Sequence, residues 1–331
     1  MNLKKIFLAA CIASAVVSVP ASAGVLGVAD LAITGLALVT ATTGNGTLTP
    51  GQPIVGGIKI VGDQRTGSAA ANFNNVQAIG AGDGSITGNV DTIDVKYRCA
   101  GPDCAAAAAL YAAGGQAVGT TDAQPENNLH THISTPTLNF AMGDMVIAGT
   151  AVSGPGANGL TRADSSVAAS TNKGGASGSI NNGVEAQSST SFQLLSGADV
   201  GSSVNAQFSL SYDVFRKVFI DPANVNTKGI ATAGTSFILE LSSNDPDFIS
   251  MTFAPTILNG NFSSFSAAGN KEVNQSGTAL SDSRVLRAGF TYTVTVTQSS
   301  LSSASEVPEP ASVLLIGLSL LGLGVARRRR G

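Results

Sequence analysis

Phe290-Thr291-Tyr292-Thr293-Val294-Thr295-Val296-Thr297 is the stretch from which the fold is read. Large apolar side chains alternate with threonines, and a strand sends successive side chains to opposite faces, so the segment makes one greasy face and one hydroxyl face. Aromatic and β-branched residues suit a pleated, half-buried surface, and the pattern predicts a sheet covered on one side. Two stretches upstream repeat it. Phe208, Leu210, Tyr212 and Val214 alternate with Ser and Asp, and Phe237, Leu239 and Leu241 alternate with Ile238 and Glu240. Burying one such side chain stabilises by about 1.5–3 kcal/mol, so these three strands are expected to dominate the core.

Outward from them, short β-branched runs separated by Gly, Asn, Asp and Pro continue along the chain: Val25 to Thr40, Ile54 to Val61, Asp91 to Arg98, Thr137 to Phe140 and Met145 to Thr150. In Asp91 to Arg98, Ile93, Val95 and Tyr97 share one face and Asp94, Lys96 and Arg98 the other, as a half-buried strand requires. The fold class that follows is all-β, a β-sandwich or jelly-roll-like body with long Gly/Ser/Asn-rich loops. Ser153 to Gly183 has little large apolar content and fits edge strands or a flexible loop equally. Ala105 to Ala113 is the helix expected in the body, alanine-rich and stopped by Gly114-Gly115. Gln116 to Ser134 is polar, contains Pro125 and reads as a long loop. Gln298 to Glu306 reads as a Ser-rich tether with a reach of about 30 Å. No fixed-period repeat or heptad is present, which excludes solenoids and coiled coils.

Tryptophan is absent, aromatics make up 5% and charged residues 12% of the 331 residues, while small residues dominate, so the core is expected to be thin. Without its two terminal segments the body, Gly24 to Pro310, has 12 Lys and Arg against 21 Asp and Glu, a net charge of −9. Arg216-Lys217 is its only adjacent basic pair. An acidic surface with no basic cluster is repelled by phosphate backbones, which excludes nucleic acid as a partner.

Met1 to Ala23 has Lys4-Lys5, an apolar run from Ile6 to Val19 and the small-x-small ending Ala21-Ser22-Ala23, the form of an export leader cut after Ala23. Signal peptidase and Sec-type export machinery are the partners this implies. Leu8-Ala9-Ala10-Cys11 is a rival lipobox, but only five apolar residues separate Lys5 from Cys11, fewer than the roughly seven a leader core needs. Once the leader is gone, Cys99 and Cys104 are the only cysteines, and an oxidising compartment favours a local disulfide between them. The alternative adds His130 and His132 as metal ligands, since His-x-His places both imidazoles on one strand face. Asp245 and Asp247, in Asn-Asp-Pro-Asp, are oxygen donors of the kind Ca²⁺ uses, although such residues at turns more often bond local backbone. No hydrolase, metalloprotease, P-loop or dinucleotide motif occurs, so a non-enzymatic protein without a cofactor is expected.

The C-terminus reads Val307-Pro308-Glu309-Pro310-Ala311-Ser312, then an uncharged run to Ala326, then Arg327, Arg328, Arg329 and Arg330. Residues 311–326 as a helix reach about 24 Å, short of the roughly 30 Å hydrocarbon core, and the arginines favour a cytoplasmic end. Proline keeps Val307 to Pro310 extended and open to a protease. These residues resemble the PEP-CTERM sorting signal of exosortase-processed proteins in Gram-negative bacteria. The resemblance implies a precursor held transiently in the inner membrane, cut near Pro308 to Pro310 by an exosortase, and transferred to the cell surface or an extracellular polysaccharide. A permanent single-pass anchor is the bland reading of the same tail. The organisation expected is therefore a signal peptide at 1–23, a body at 24–297, a tether at 298–306 and a sorting signal at 307–331. Within the body, Cys99 to Cys104, Phe140-Ala141-Met142-Gly143-Asp144 and Leu160-Thr161-Arg162-Ala163-Asp164 resemble landmarks of the EDSAP-type group of surface proteins, a resemblance that implies no activity.

Overall fold

A computed structural model describes residues 24–44, 47–54, 57–86, 92–113, 137–152, 156–168, 177–179, 184–195, 202–221, 228–265 and 269–307. The strands are β1 (Val25–Gly44), β2 (Thr47–Pro53), β3 (Ile58–Phe73), β4 (Val76–Ile86), β5 (Thr92–Ala100), β6 (Phe140–Ala148), β7 (Ala157–Val167), β8 (Ser177–Ser179) and β9 (Val184–Leu194). They continue with β10 (Ser203–Ile220), β11 (Lys228–Ser243), β12 (Met251–Phe253), β13 (Gly260–Phe265), β14 (Gly269–Leu280), β15 (Arg284–Arg287) and β16 (Thr291–Val307), and one helix, α1 (Cys104–Ala113), follows β5.

Every pairing is antiparallel, and the strands form two sheets packed face to face, the all-β sandwich that the alternation predicts. The first sheet runs β14-β10-β1-β7-β6-β5, with β2 beside β1 and β15 beside β10. The second runs β12-β11-β16-β8-β3-β4, with β13 beside β11 and β9 between β16 and β3. Asn74-Asn75 joins β3 to β4 as a two-residue hairpin, both residues at positive φ (49° and 66°), the geometry that matches strand twist and that asparagine tolerates.

The inter-sheet space divides along the strands. Toward the start of β16 lie Phe192, Phe208, Phe237, Leu239, Leu241, Tyr292 and Val294, all buried. Toward its end alanines (Ala69, Ala71, Ala163, Ala231, Ala233 and Ala304) share the fill with Val25, Phe73, Met145, Val218 and Ile220. There the sheets touch through backbone: a Cβ on Gly27 would lie closer to the carbonyl oxygens of Thr232 and Ser303 than real Cβ atoms come. The far face of the first sheet is also covered in part. Leu26 and Val28 of β1 pack there with Phe140, Met142, Phe215 and Ala107 of α1.

Four expectations need correction. Residues 298–306 are not a tether but the second half of β16, paired with β11 from Ser236↔Ser299 to Lys228↔Val307. Gln298, Ser300, Ser302 and Ala304 are buried, alternating with more exposed neighbours, so the strand period is carried by side chains too small to register as apolar. The boundary expected after residue 297 therefore falls inside a strand. Within 153–183, β7 is a central strand, flanked by β1 and β6, rather than an edge or loop. Thr137 to Phe140 and Met145 to Thr150 are joined as β6 through Met142-Gly143-Asp144. A register shift between Val95 and Arg98 breaks the strict alternation expected of β5.

The body's two chain ends leave the sandwich at one pole. Val25 pairs with Ile220, Asp221 donates its N–H to the Gly24 carbonyl at 2.9 Å, and Gly229, the partner of Glu306, sits against Val25.

Candidate sorting junction and distal cleft

At the pole of the chain ends, the last residues of β16 meet the proline-rich strip with nothing between them: Val307 pairs with Lys228, Glu306 with Gly229, and Pro308 follows. Among the described residues β16 is flanked on both sides only as far as Ser305, whose second neighbour is Ser177 of β8. What holds this half of the strand is short and polar. The Thr161 and Ser300 hydroxyls lie 2.9 Å apart, as do those of Ser165 and Ser302, all four buried between the sheets. Thr232 and Ser303 add a hydroxyl pair at 2.7 Å. Each such bond contributes about 1 kcal/mol net. Of the residues read as processing positions, Val307 is the end of β16; Ala21, Ala23, Pro308, Glu309, Pro310 and Arg327 to Arg330 lie outside the described residues, as do residues 311–326.

Cys99 and Cys104 form a disulfide that closes the turn from β5 into α1, stabilising by a few kcal/mol at most because the loop is short. Asp103 accepts the Asn139 backbone N–H at 2.8 Å, tying that turn to the start of β6. The rival metal ligands His130 and His132 lie outside the described residues. The three landmark segments prove to be neighbours. Cys99 pairs with Met142, Met142 with Asp164, and Asp164 with Val28, while Asp144, Arg162 and Asp30 line up in the next row. Arg162 and Asp30 are fully buried, 3.7 Å apart, and act as an internal ion pair of the first sheet.

At the opposite pole, the Asp245 and Asp247 carboxylates that sequence offers as calcium donors both turn to a guanidinium. Arg287 of β15 donates Nε–H to Asp245 Oδ2 at 2.7 Å, a second bond from Nη2 to Asp245 Oδ1, and another to Asp247 Oδ2 at 2.8 Å. Asp245 also accepts the Asp247 backbone N–H at 3.0 Å, the local turn bond expected of such residues. The Arg287 hydrogen bond holds the Asp245 carboxyl below the usual carboxylate range, and the two carboxylates push the guanidinium further up. Below this pair Tyr292 accepts the Arg287 N–H at 2.7 Å, and burial raises its phenol. The Arg287 guanidinium lies over the Phe290 ring, 5.2 Å from its centre.

Above the clamp opens a cleft of about 450 Å³, lined by Asp245, Asp247, Phe248, Ile249, Arg284 and Val285 together with Arg287. Ile249, 76% exposed, and Val285, 57% exposed, are the most exposed large apolar side chains among the described residues. Local spacing does not mark Arg287, because its partners Asp245 and Asp247 lie about 40 residues away and are brought to it by sheet topology.

The arrangement defines a class: a disulfide-bearing β-sandwich whose last central strand runs directly into a C-terminal Pro-Glu-Pro segment. Residues 306–330 match the family model of the PEP-CTERM protein-sorting motif, so the chain carries that sorting motif, which implies export toward the cell envelope and surface in Gram-negative bacteria with an exosortase as the processing partner. The match covers the tail and the last two residues of β16. No curated protein matches the chain.

Proposed function

We propose that this is a non-enzymatic structural or adhesive protein of the cell surface or the extracellular polysaccharide matrix, delivered by its tail. The observation that carries the reading is the sorting motif at 306–330, continuous with a central strand of the body. A second feature supports adhesion. On the outer side of the second sheet, half-buried hydroxyls form a ladder, Ser191 with Thr293 at 2.9 Å and Ser189 with Thr295 at 3.4 Å, chemistry that suits polyol contact along an extended surface. Inner-membrane association is transient in this reading, and the protein carries no cofactor.

Intact-mass analysis of protein recovered from cells with and without the exosortase tests it. The expected result is a mature chain that starts at Gly24, lacks Arg327 to Arg330 only when the exosortase is present, and fractionates with surface polysaccharide. A chain that keeps its arginines in exosortase-containing cells would make the tail a permanent anchor.

A ligand-specific binding module is the second reading, favoured by the distal cleft with its two arginines and exposed Ile249 and Val285. Selective retention of one sugar class on an array, lost on Ile249→Asp, would support it over general adhesion.

A further inference from the structure

The sorting motif and the fold overlap, and this poses a steric problem. Glu306 and Val307 belong to the matched motif and also to the terminal rungs of β16. A protease that reads residues 306–310 needs an extended chain with its backbone groups free and with room on both sides of the bond to be cut. Instead, in an antiparallel pair, one of any two successive residues gives both its backbone groups to the neighbouring strand. Here that strand is β11, which stands beside Val307 through Lys228.

The end of β16 is built so that this obstacle is small. Beyond Ser305 the strand has β11 on one flank and no paired neighbour on the other among the described residues. Its rung partners there are Gly229 and Lys228. Further back the strand is anchored: Ala304 is fully buried, and Ser302 and Ser300 are bonded to Ser165 and Thr161 across the interface. The grip therefore weakens over the last two residues and is firm before them. Strand ends held in this way open with little free-energy cost, whereas the anchored part opens only with the whole fold.

We infer that Glu306 and Val307 peel away from Gly229 and Lys228 to hand the tail to the exosortase, so that the rate of processing is set by the open fraction of these two rungs. Peeling adds about 7 Å of unpaired chain ahead of Pro308, at roughly 3.4 Å per residue. The body behind Ser305 stays folded while the cut is made, and the mature protein keeps β16 whole.

This rests on the tail being cut by an exosortase, and the test separates the two. The full chain carrying Lys228→Cys and Val307→Cys, which joins the last rung covalently, is expressed in exosortase-containing cells beside each single-cysteine variant and the unaltered chain. Bond formation and tail removal are both read by mass. Cleavage of an opened state tracks its population, so the joined chain is expected to be processed at least about tenfold more slowly than either single variant. Ten residues, Gly-Ser repeats closing on a second Glu-Val, inserted after position 307 of the joined chain should restore processing, because the strip then stands clear of the sheet. Equal processing of joined and single variants overturns the inference, as does failure of the insertion to restore it. An unaltered chain that is never cut overturns the underlying reading instead.

Discussion

The two poles of the sandwich are packed differently. The distal half is filled with rings and long aliphatic chains: Phe192 stacks on Tyr292 at 5.5 Å, Phe237 meets Phe253 edge-on at 6.3 Å, and Phe248 meets Tyr292 at 5.4 Å. The half nearest the tail mixes Val25, Phe73, Met145, Val218 and Ile220 with many alanines and buried serines, and at one place its sheets approach until Gly27 rests on the backbone of the facing strands. Sheets usually stand about 10 Å apart because side chains fill the gap. Where side chains are small, the gap closes and hydroxyl pairs replace apolar area. One half thus relies on buried rings, while the other adds close backbone fit and satisfied polar groups to its apolar contacts.

Three tests put that contrast at risk. Phe237→Ala empties the distal half and should cost about 3–5 kcal/mol in chemical unfolding, since a large ring leaves a cavity that rigid sheets fill poorly. A loss below about 1 kcal/mol would mean the aromatic half is not the main source of stability. Gly27→Ala adds only a methyl but places it against the Thr232 and Ser303 carbonyls, and the sheets must part. A loss of about 1–3 kcal/mol is expected. Gly62→Ala is the control, because its nearest neighbour is the Ser191 Cβ at 4.0 Å; if both glycine variants unfold alike, close approach is not what holds the tail half. The smallest effect is in the hydroxyl pairs. Ser165→Ala and Ser302→Ala, singly and together, should reveal a coupling of about 0.5–1.5 kcal/mol, and strict additivity would remove hydrogen bonding from the account.

The same contrast explains which parts of the fold were legible in the sequence. β11 and the first half of β16 announced themselves because Phe237, Leu239, Tyr292 and Val294 stand out against Ser, Thr and Glu. β7 and the second half of β16 obey the same period of two, but with Gly159, Thr161, Ala163 and Ser165 facing Gln298, Ser300 and Ser302, so hydropathy shows no contrast. A reading tuned to side-chain volume instead of polarity would have found them. The Cys99–Cys104 bond was visible because both residues are local and isolated. The Arg287 clamp was not, because the pairing of β15 with β10 and of β16 with β11 brings it to Asp245, and sequence spacing holds no trace of that.

The position of β16 has one more consequence, which concerns time. The strand sits between β11 and the β8–β9 flank, in the middle of its sheet, yet it is the last part of the body to be synthesised. As the chain threads outward N-terminus first, the second sheet has a gap at its centre until residues 291–307 emerge, and those residues are followed at once by the tail. Folding is thus completed only when the last strand of the body has emerged, immediately ahead of the residues that carry most of the sorting motif.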